Sequence, residues 1–452
     1  MDAPVTRART DEQLFVSTLP GLEPALEAEA SALGWKPRRV DGGVELEGPA
    51  GLHQDANLRL RCASRVLLRL GHFRAGDSDT LSDRLAELDL SHVWDGRSPP
   101  KLSVSLNRSP VPGPDVVFSA AAYAWNVPSV ERAGPLDEEG GGPGLTLLVR
   151  VDGDAFTVSA DTSGDALHRR GYRQEVSRAP LRETLAAGIL RLAGYDGSQP
   201  LVDPMCGSGT FLVEAAWMAM RRAPGLLRAF AFESFPSFDA QAWAGRKARA
   251  EADARPAPGA AIHGYDINAG SLGTARRNAR RAGVTLALER QDARTLKAPV
   301  EGPGLVVVNP PYGKRVGEAE DLPALYRALG NTLRQGFAGW RAAVILPDEA
   351  ALVKALGHSV EEAQDGEEAY VKVQNNTYDL ILTDVQMPKL DGFSLARRLK
   401  STPAVARIPV IILSSLASPE DKRRGLDAGA DAYLVKGELG VEVLAQAIDR
   451  LT

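Results

Sequence analysis

From residue 178 to about 347 the chain alternates short apolar runs with helical stretches, and that alternation admits few folds. The runs are PLVDP (200–204), AAIHGYD (260–266), LALERQD (286–292), GLVVVNPPY (304–312) and WRAAVILP (340–347). Between them stand GTFLVEAAWMAMRR (209–222), SLGTARRNARRAG (271–283) and LPALYRALGNTLRQ (322–335), with PLRETLAAGILRLAG (180–194) ahead. Strand–helix alternation of this kind predicts a doubly wound parallel sheet, which takes its ligand outside the carboxyl ends of its strands. A chain of 452 residues has room for about three domains, so other modules flank this one.

The first 165 residues have a different texture. LFVSTL (14–19) and GGVELEG (42–48) read as strands around the helix GLEPALEAEASALG (21–34). Residues 98–115 read as a Pro- and Ser-rich loop around the strand KLSVSL, and 134–144 as a flexible charged turn. LTLLVRVDGDAFTVSAD (145–161) is a strand pair turning at Asp152-Gly153-Asp154. Together these predict a small α+β module ending near 165. Residues 358–452 form a further α/β pattern, with DLILTD, PVIILSS and AYLVK as buried strands. A net charge of −5 excludes a uniformly basic nucleic-acid binder while leaving room for local basic patches. Two cysteines, Cys62 and Cys206, build neither a disulfide framework nor a cysteine-rich metal site. With no leader-like N-terminus and no apolar run of membrane length, the expected protein is soluble, cytoplasmic and makes no membrane contact.

DPMCGSGTF (203–211) lies between a strand and a helix. Gly207 and Gly209 let the backbone approach a ligand, and the helix that follows offers unpaired N–H groups. Asp203, Asp266 and Asp292 each end a successive strand, where acids suit an amino group, ribose hydroxyls and an adenine amino group in turn. Taken singly, each is as readily a turn or helix-cap residue; three in succession define a site. The gap from glycine loop to Asp266 is far longer than in nicotinamide enzymes, and residues 221–259, rich in aromatics, read as an insertion. In VVVNPPYGKR (306–315), Asn-Pro-Pro-Tyr alone would be a turn. After an apolar strand it suits methylation of an exocyclic amine, whose lone pair is delocalised into its ring. The side-chain oxygen of Asn309 and the carbonyl of Pro310 can accept the amine's N–H bonds, Pro310 and Pro311 stiffen the loop, and Tyr312 offers a stacking ring.

These motifs resemble those of the THUMP-domain class I S-adenosylmethionine-dependent methyltransferases that modify guanine N2 in large-subunit ribosomal RNA. The resemblance extends through SGDALHRRGYR and APLRETLAAGILRLAG (163–194), RAPGL (222–226), FAGW (337–340) and the N-terminal FVSTLPGLEPALEAE, over about residues 13–357. It implies a ferredoxin-like and THUMP RNA-binding module over 13–165 and a Rossmann-like methyltransferase domain over 166–357. It further implies an S-adenosylmethionine site drawing on Asp203, Pro204, Cys206, Gly207, Ser208, Gly209, Asp266 and Asp292. In the family the stretch matching Arg178–Thr184, with Glu183 and Thr184, lies against the methionine part of the donor. The implied partner is RNA, specifically 23S rRNA. His168, Arg169, Arg170 and Arg173 form the basic cluster best placed for phosphates, whereas Arg276, Arg277, Arg280 and Arg281 read as a solvated helix face.

Residues 358–452 resemble a response-regulator receiver, a flavodoxin-like domain. Asp384 ends one strand, Ser414 the next and Lys436 a third. By that resemblance they are the phosphoacceptor, the hydroxyl that reports phosphorylation and the lysine that pairs with the phosphoryl group, with a histidine kinase as donor. A receiver also starts with a strand ending in two Mg²⁺-binding acids, for which VILPDE (344–349) supplies Asp348 and Glu349. Only AALVKAL stands where the first helix belongs, and WRAAVILP is claimed by the preceding sheet as well. The junction near 357–359 therefore reads as a splice of two incomplete domains. Two other readings compete: a DNA adenine-N6 methyltransferase, which shares Asn-Pro-Pro-Tyr, and a phosphorelay regulator whose methyltransferase part is a relic.

Overall fold

The strand and helix segments of the first 165 residues share one sheet. The structure, a computed structural model, describes residues 11–109, 111–133, 144–174, 181–311, 322–345, 353, 358–416, 418–436 and 441–451. Strands β1 (Asp11–Ser17), β2 (Arg38–Val40), β3 (Gly43–Pro49), β4 (Arg65–Arg74), β5 (Lys101–Asn107), β6 (Glu131–Arg132), β7 (Thr146–Asp152) and β8 (Ala155–Asp161) lie in the order β2-β3-β1-β4-β8-β7-β5-β6. Period-two alternation sends Leu14, Val16, Val66, Leu68, Val149 and Val158 to one face. There they share a core with α1 (Glu23–Ala32), α2 (Leu52–Arg59), α3 (Ser78–Ala86) and α4 (Pro114–Ala124). The loop expected over 98–115 is therefore shorter than the sequence suggested, because α4 starts at Pro114. The charged turn expected over 134–144 falls, but for Gly144, outside the described residues.

The parallel sheet is built as expected. Helices α5 (Glu183–Leu192), α6 (Thr210–Ala219), α7 (Ala240–Ala252), α8 (Ala269–Arg281) and α9 (Leu322–Gly336) accompany strands β9 (Leu201–Asp203), β10 (Ile262–Asp266), β11 (Ala287–Arg290), β12 (Leu305–Val308) and β13 (Arg341–Val344). The order is β11-β10-β9-β12-β13, all parallel. The chain reverses its direction of travel at β9, so the ligand crevice opens at the ends of β9, β10 and β12. Trp217 of α6 is fully buried and donates Nε1–H to Ala282 O at 2.9 Å, satisfying its one polar atom. The inserted aromatics do not extend this core. Phe230, Phe232, Phe235 and Trp243 pack into the core of the eight-stranded sheet, with Phe232 and Trp243 edge to face at 5.0 Å. The insertion thus ties the N-terminal module to the segment that carries the parallel sheet, and the packing runs on without a break near 165.

The chain divides into two compact units, Met1–Pro310 with Thr332–Ile345, and Pro311–Asn331 with Leu346–Thr452. In the second, β14 (Ile381–Asp384), β15 (Val410–Ser414) and β16 (Ala432–Val435) form a parallel sheet in that order. Helices α10 (Gly366–Asn375), α11 (Gly392–Ser401), α12 (Pro419–Asp427) and α13 (Val441–Leu451) flank it, the first three capped by Asp365, Asp391 and Ser418. The contested run at 340–347 is resolved: residues 341–344 pair with β12 in the first unit's sheet. Among the described residues no strand follows β13 in that sheet, and no first strand precedes β14 in the other.

Candidate active site

Residues that end β9, β10 and β12 converge because the parallel register aligns those ends. Gly207 and Gly209 both adopt positive φ, +52° and +84°, a conformation L-residues resist. A Cβ built on Gly209 would press on Ala275 at 3.1 Å, so that glycine is needed for packing; one on Gly207 meets nothing within 4 Å. The space before Gly207 is open to a ligand. The turn is held from three sides. Gly207 N donates to Asp266 Oδ2 at 2.9 Å, Cys206 N to Tyr265 O at 2.8 Å, and the buried Asn278 amide to Ser208 O at 3.1 Å. Asn278, which reads from the sequence as one more residue of an arginine-rich helix, is a positioning residue that only the fold reveals.

Asp203 is buried and accepts from Met205 N at 3.0 Å. Burial, together with the nearby charge of Asp266, pushes its carboxyl up to about 8. A carboxyl so destabilised as an anion is poised for a cationic ligand. Pro204 is buried beside it, and burial pushes the Cys206 thiol up. Asp266 also accepts from Asn268 N at 2.7 Å, while Asn268, not Asp266, caps α8.

Asn309 follows β12 directly. Its Oδ1 is shielded from solvent and has no hydrogen-bond partner among the described residues. A buried acceptor left unpaired costs about 1–3 kcal/mol, a strain retained where the atom has work to do. Pro310 is buried next to it, and the carbonyl of Pro311 accepts from Tyr326 Oη at 2.9 Å. Tyr312 lies outside the described residues.

Several sequence expectations need correction. Arg170, expected to bind RNA, is 2% exposed; it donates to Leu167 O and Arg61 O and stands 3.5 Å from the buried Glu214. Arg173 is half-buried with its side chain 9% exposed, donating to Leu181 O and pairing with Glu183 at 2.9 Å. Linker composition hid this, because the linker runs between the two cores rather than over the surface. Of the cluster, Arg169 alone keeps a half-exposed guanidinium, 3.8 Å from Asp165. Glu183 and Thr184 are buried at the start of α5; burial pushes Glu183 up to about 7 against the pull of Arg173. Asp292 accepts from Arg294 at both carboxylate oxygens and caps a short 3-10 turn. Arg276, Arg277 and Arg280 are exposed on α8, the solvated face expected.

In the second unit, Lys436 Nζ donates to Asp384 Oδ2 at 2.7 Å, and Gln386 N to Oδ1 at 3.1 Å. Ser414 is fully buried at the adjacent strand end, its Oγ accepting from Leu416 N. The three residues picked from the sequence are therefore one cluster. Asp348 and Glu349 lie outside the described residues, and among the described residues no group of three His, Cys, Asp or Glu could hold a metal.

With these sites in place, the chain matches the methyltransferase domain model described as RMKL-like over residues 170–379 and the RlmL ferredoxin-like domain over 13–67. It matches the response regulator receiver domain over 348–449. A crystal structure named as an N6-adenine-specific DNA methylase from Listeria monocytogenes superposes with a TM-score of 0.66 at 30% identity, covering 76% of this chain and 91% of that one. The chain belongs to the RMKL-like methyltransferase family. A second family structure, a methyltransferase complexed with SAH, aligns at TM-score 0.64 and 27% identity over 78% of this chain and 94% of that one. The ribosomal RNA large subunit methyltransferase K/L of Psychromonas ingrahamii is 36% identical over 76% of this chain and 47% of its own length. The chain spans about half the length of such curated relatives. A 140-residue stretch is 80% identical to a gliding motility regulatory protein of Myxococcus xanthus, covering 29% of this chain and 18% of that protein. The two family models overlap at 348–379, directly after the run 340–347 that the sequence left claimed by two domains. No helix among the described residues is long and apolar enough to cross a membrane.

Proposed function

We propose that the first unit transfers a methyl group from S-adenosylmethionine to an exocyclic amine of RNA, with guanine N2 of 23S rRNA as the target and the cytoplasm as the setting. One observation carries this reading: the shielded Oδ1 of Asn309, without a hydrogen-bond partner among the described residues, at a strand end beside the open glycine turn. When bound, the sulfonium donor supplies an activated methyl group. Gly207 admits it without steric conflict, Asp266 is the acceptor for its ribose hydroxyls, and Asp203 the counter-charge for its amino-acid end. Glu183 and Thr184 are the candidates for the methionine side. Asn309 Oδ1 and the Pro310 carbonyl accept the two N–H bonds of the base, turning its lone pair out of the ring and toward the methyl group. Placing that geometry before reaction removes an entropic cost the free reactants would meet. Tyr312 serves as the stacking platform and Arg169 as the remaining phosphate contact of its cluster.

Incubation with tritiated S-adenosylmethionine and either rRNA or duplex DNA, followed by nucleoside digestion, tests the proposal. Label in N2-methylguanosine is expected. Label in DNA alone would replace it by the adenine-N6 reading, which the name of the Listeria relative favours. For the second unit, the Lys436–Asp384–Ser414 cluster supports Asp384 as acceptor of a phosphoryl group from a histidine kinase. Acetyl-phosphate labelling that survives Asp384→Ala would remove that role. Magnesium would call on Asp348 and Glu349; the described residues alone do not provide its ligands, and no step is assigned to it.

A further inference from the structure

The linker between the eight-stranded sheet and the parallel sheet ends at α5, whose first turn carries the two candidates for the methionine side of the donor. Each step of its path is held by packing. Gly171 has a φ of +96°, and a Cβ built on it would meet Leu227 O at 2.4 Å, so only glycine fits that close approach. Tyr172 is fully buried: its ring meets Trp217 edge to face at 5.1 Å, and its hydroxyl donates to Glu214 Oε1 at 3.3 Å. Arg173 thus leaves a fixed stretch of backbone, and its guanidinium forks. Nη1 donates to Leu181 O at 2.7 Å and Nη2 to Glu183 Oε2 at 2.9 Å. Those two acceptors flank Arg182, the N-cap residue of α5, which supplies no side-chain cap of its own. The fork holds the helix start instead.

The same fork sets the charge of Glu183. A carboxyl that is 1% exposed favours its neutral form unless a cation stands beside it. Burial pushes Glu183 up to about 7 against the pull of Arg173; Glu214 on α6 adds to the rise and Arg170 opposes it. Tyr172, beside the same carboxyl, stays neutral, since burial and the charges of Glu214 and Glu183 push its hydroxyl up. Of the linker arginines, Arg170 stands 3.5 Å from Glu214, which leaves Arg173 as the ion-pair partner of Glu183 among the described residues. A planar guanidinium bonded through two nitrogens also fixes direction, which a point charge does not.

We infer that Arg173 is a positioning residue of the donor site: it holds the Glu183 carboxylate as an oriented anion, and the first turn of α5 with it, for the ammonium of the methionine end. The inference rests on the donor reading above, and it gives a donor-site role to an arginine that linker composition offered to RNA. Calorimetric titration of the full chain with S-adenosylmethionine between about pH 7 and 9 tests it. The proteins compared are the wild type, Arg173→Met, Arg173→Lys, Glu183→Gln and the double variant Arg173→Met with Glu183→Gln. Asp203 titrates across the same range in every one of them, so the readout is the difference between variants. Without the guanidinium the Glu183 carboxyl climbs further, and Arg173→Met should bind at least about fivefold more weakly at pH near 7. That gap should narrow toward the alkaline end, where the carboxyl loses its proton regardless. Arg173→Lys keeps the charge and should show the wild-type pH profile. In Glu183→Gln no carboxylate remains to orient, so adding Arg173→Met should weaken binding by less than about twofold more. Urea unfolding checks that each variant is folded. Arg173→Gln, uncharged yet able to donate to Glu183, serves for the same comparison if Arg173→Met does not fold. A loss equal across the pH range, or undiminished in Glu183→Gln, would overturn the inference, because packing alone would then explain it. Wild-type affinity in Arg173→Met would overturn it as well. Wild-type affinity in Glu183→Gln would take Glu183 out of the site, and Arg173 with it. A wild-type chain that binds no donor would remove the reading beneath the inference.

Discussion

Replacing Asn309 by alanine separates catalysis from folding in a way few active-site changes do. A buried polar side chain usually repays its desolvation through hydrogen bonds, so truncating it destabilises the protein. Asn309 Oδ1 has no such partner among the described residues, and removing it relieves a penalty of about 1–3 kcal/mol. That gain offsets the packing that leaves with the side chain. The unfolding free energy of Asn309→Ala should therefore fall by no more than about 1 kcal/mol, read by urea denaturation of the intact chain. In the proposed transition state the same atom accepts from an amine gaining positive charge, and comparable preorganised contacts are worth about 10²–10³ in rate. Single-turnover transfer to rRNA should drop by that factor, while donor affinity, measured by calorimetry, stays within about twofold of wild type. A stability loss well beyond that limit would show that Oδ1 has a folding role; a donor affinity falling as far as the rate would show that the loop holds the donor rather than the base.

Three further outcomes follow from the same geometry. Asp266→Ala removes the acceptor of Gly207 N as well as the proposed ribose contact, so donor affinity should fall by about tenfold or more for a missing charge-assisted bond; unchanged calorimetric affinity would take Asp266 out of the site. Because burial lifts Asp203 to about 8, its proton must leave for a cationic donor to bind. Donor affinity should rise with pH from about 6 to 8 with net proton release, and Asp203→Asn should flatten that rise; a flat wild-type profile would refute it. The same raised pKa has the opposite sign for folding: the native state keeps a proton the unfolded chain releases, so this contribution to stability is lost as pH climbs from about 4 to 8. Arg170→Met strands the buried Glu214 and should cost about 3–5 kcal/mol in urea denaturation, while leaving RNA affinity of the folded protein unchanged; a selective RNA-binding defect would restore Arg170 to the interface.

The site was legible where chemistry is concentrated at strand ends. Gly207, Asp266 and Asn309 stand in short patterns, and parallel register alone brings such positions together. The same rule placed Asp384, Ser414 and Lys436 in one cluster. What escaped depended on packing between distant segments. Arg170 and Arg173 sit in a stretch whose composition reads as exposed linker, yet they are clamped between cores by Glu214 and Glu183. The inserted aromatics advertised burial without saying where, and they joined the neighbouring module's core. Asp292 matched its pattern, and its carboxylate pairs with an arginine two residues on, a local bond that spacing arguments do not weigh. The central strand β4 and helix α4 were missed although Gly76-Asp77-Ser78 and Pro112-Gly113 mark turns beside them.

Calorimetric titration of the purified chain with S-adenosylmethionine bears most directly on whether the turn at 203–211 is a donor site. One saturable site, weakened in a Gly207→Val variant that still unfolds cooperatively, is the result this account requires. A chain that is folded by the same criterion yet shows no binding heat at any temperature tried, and no competition by SAH in equilibrium dialysis, would contradict it.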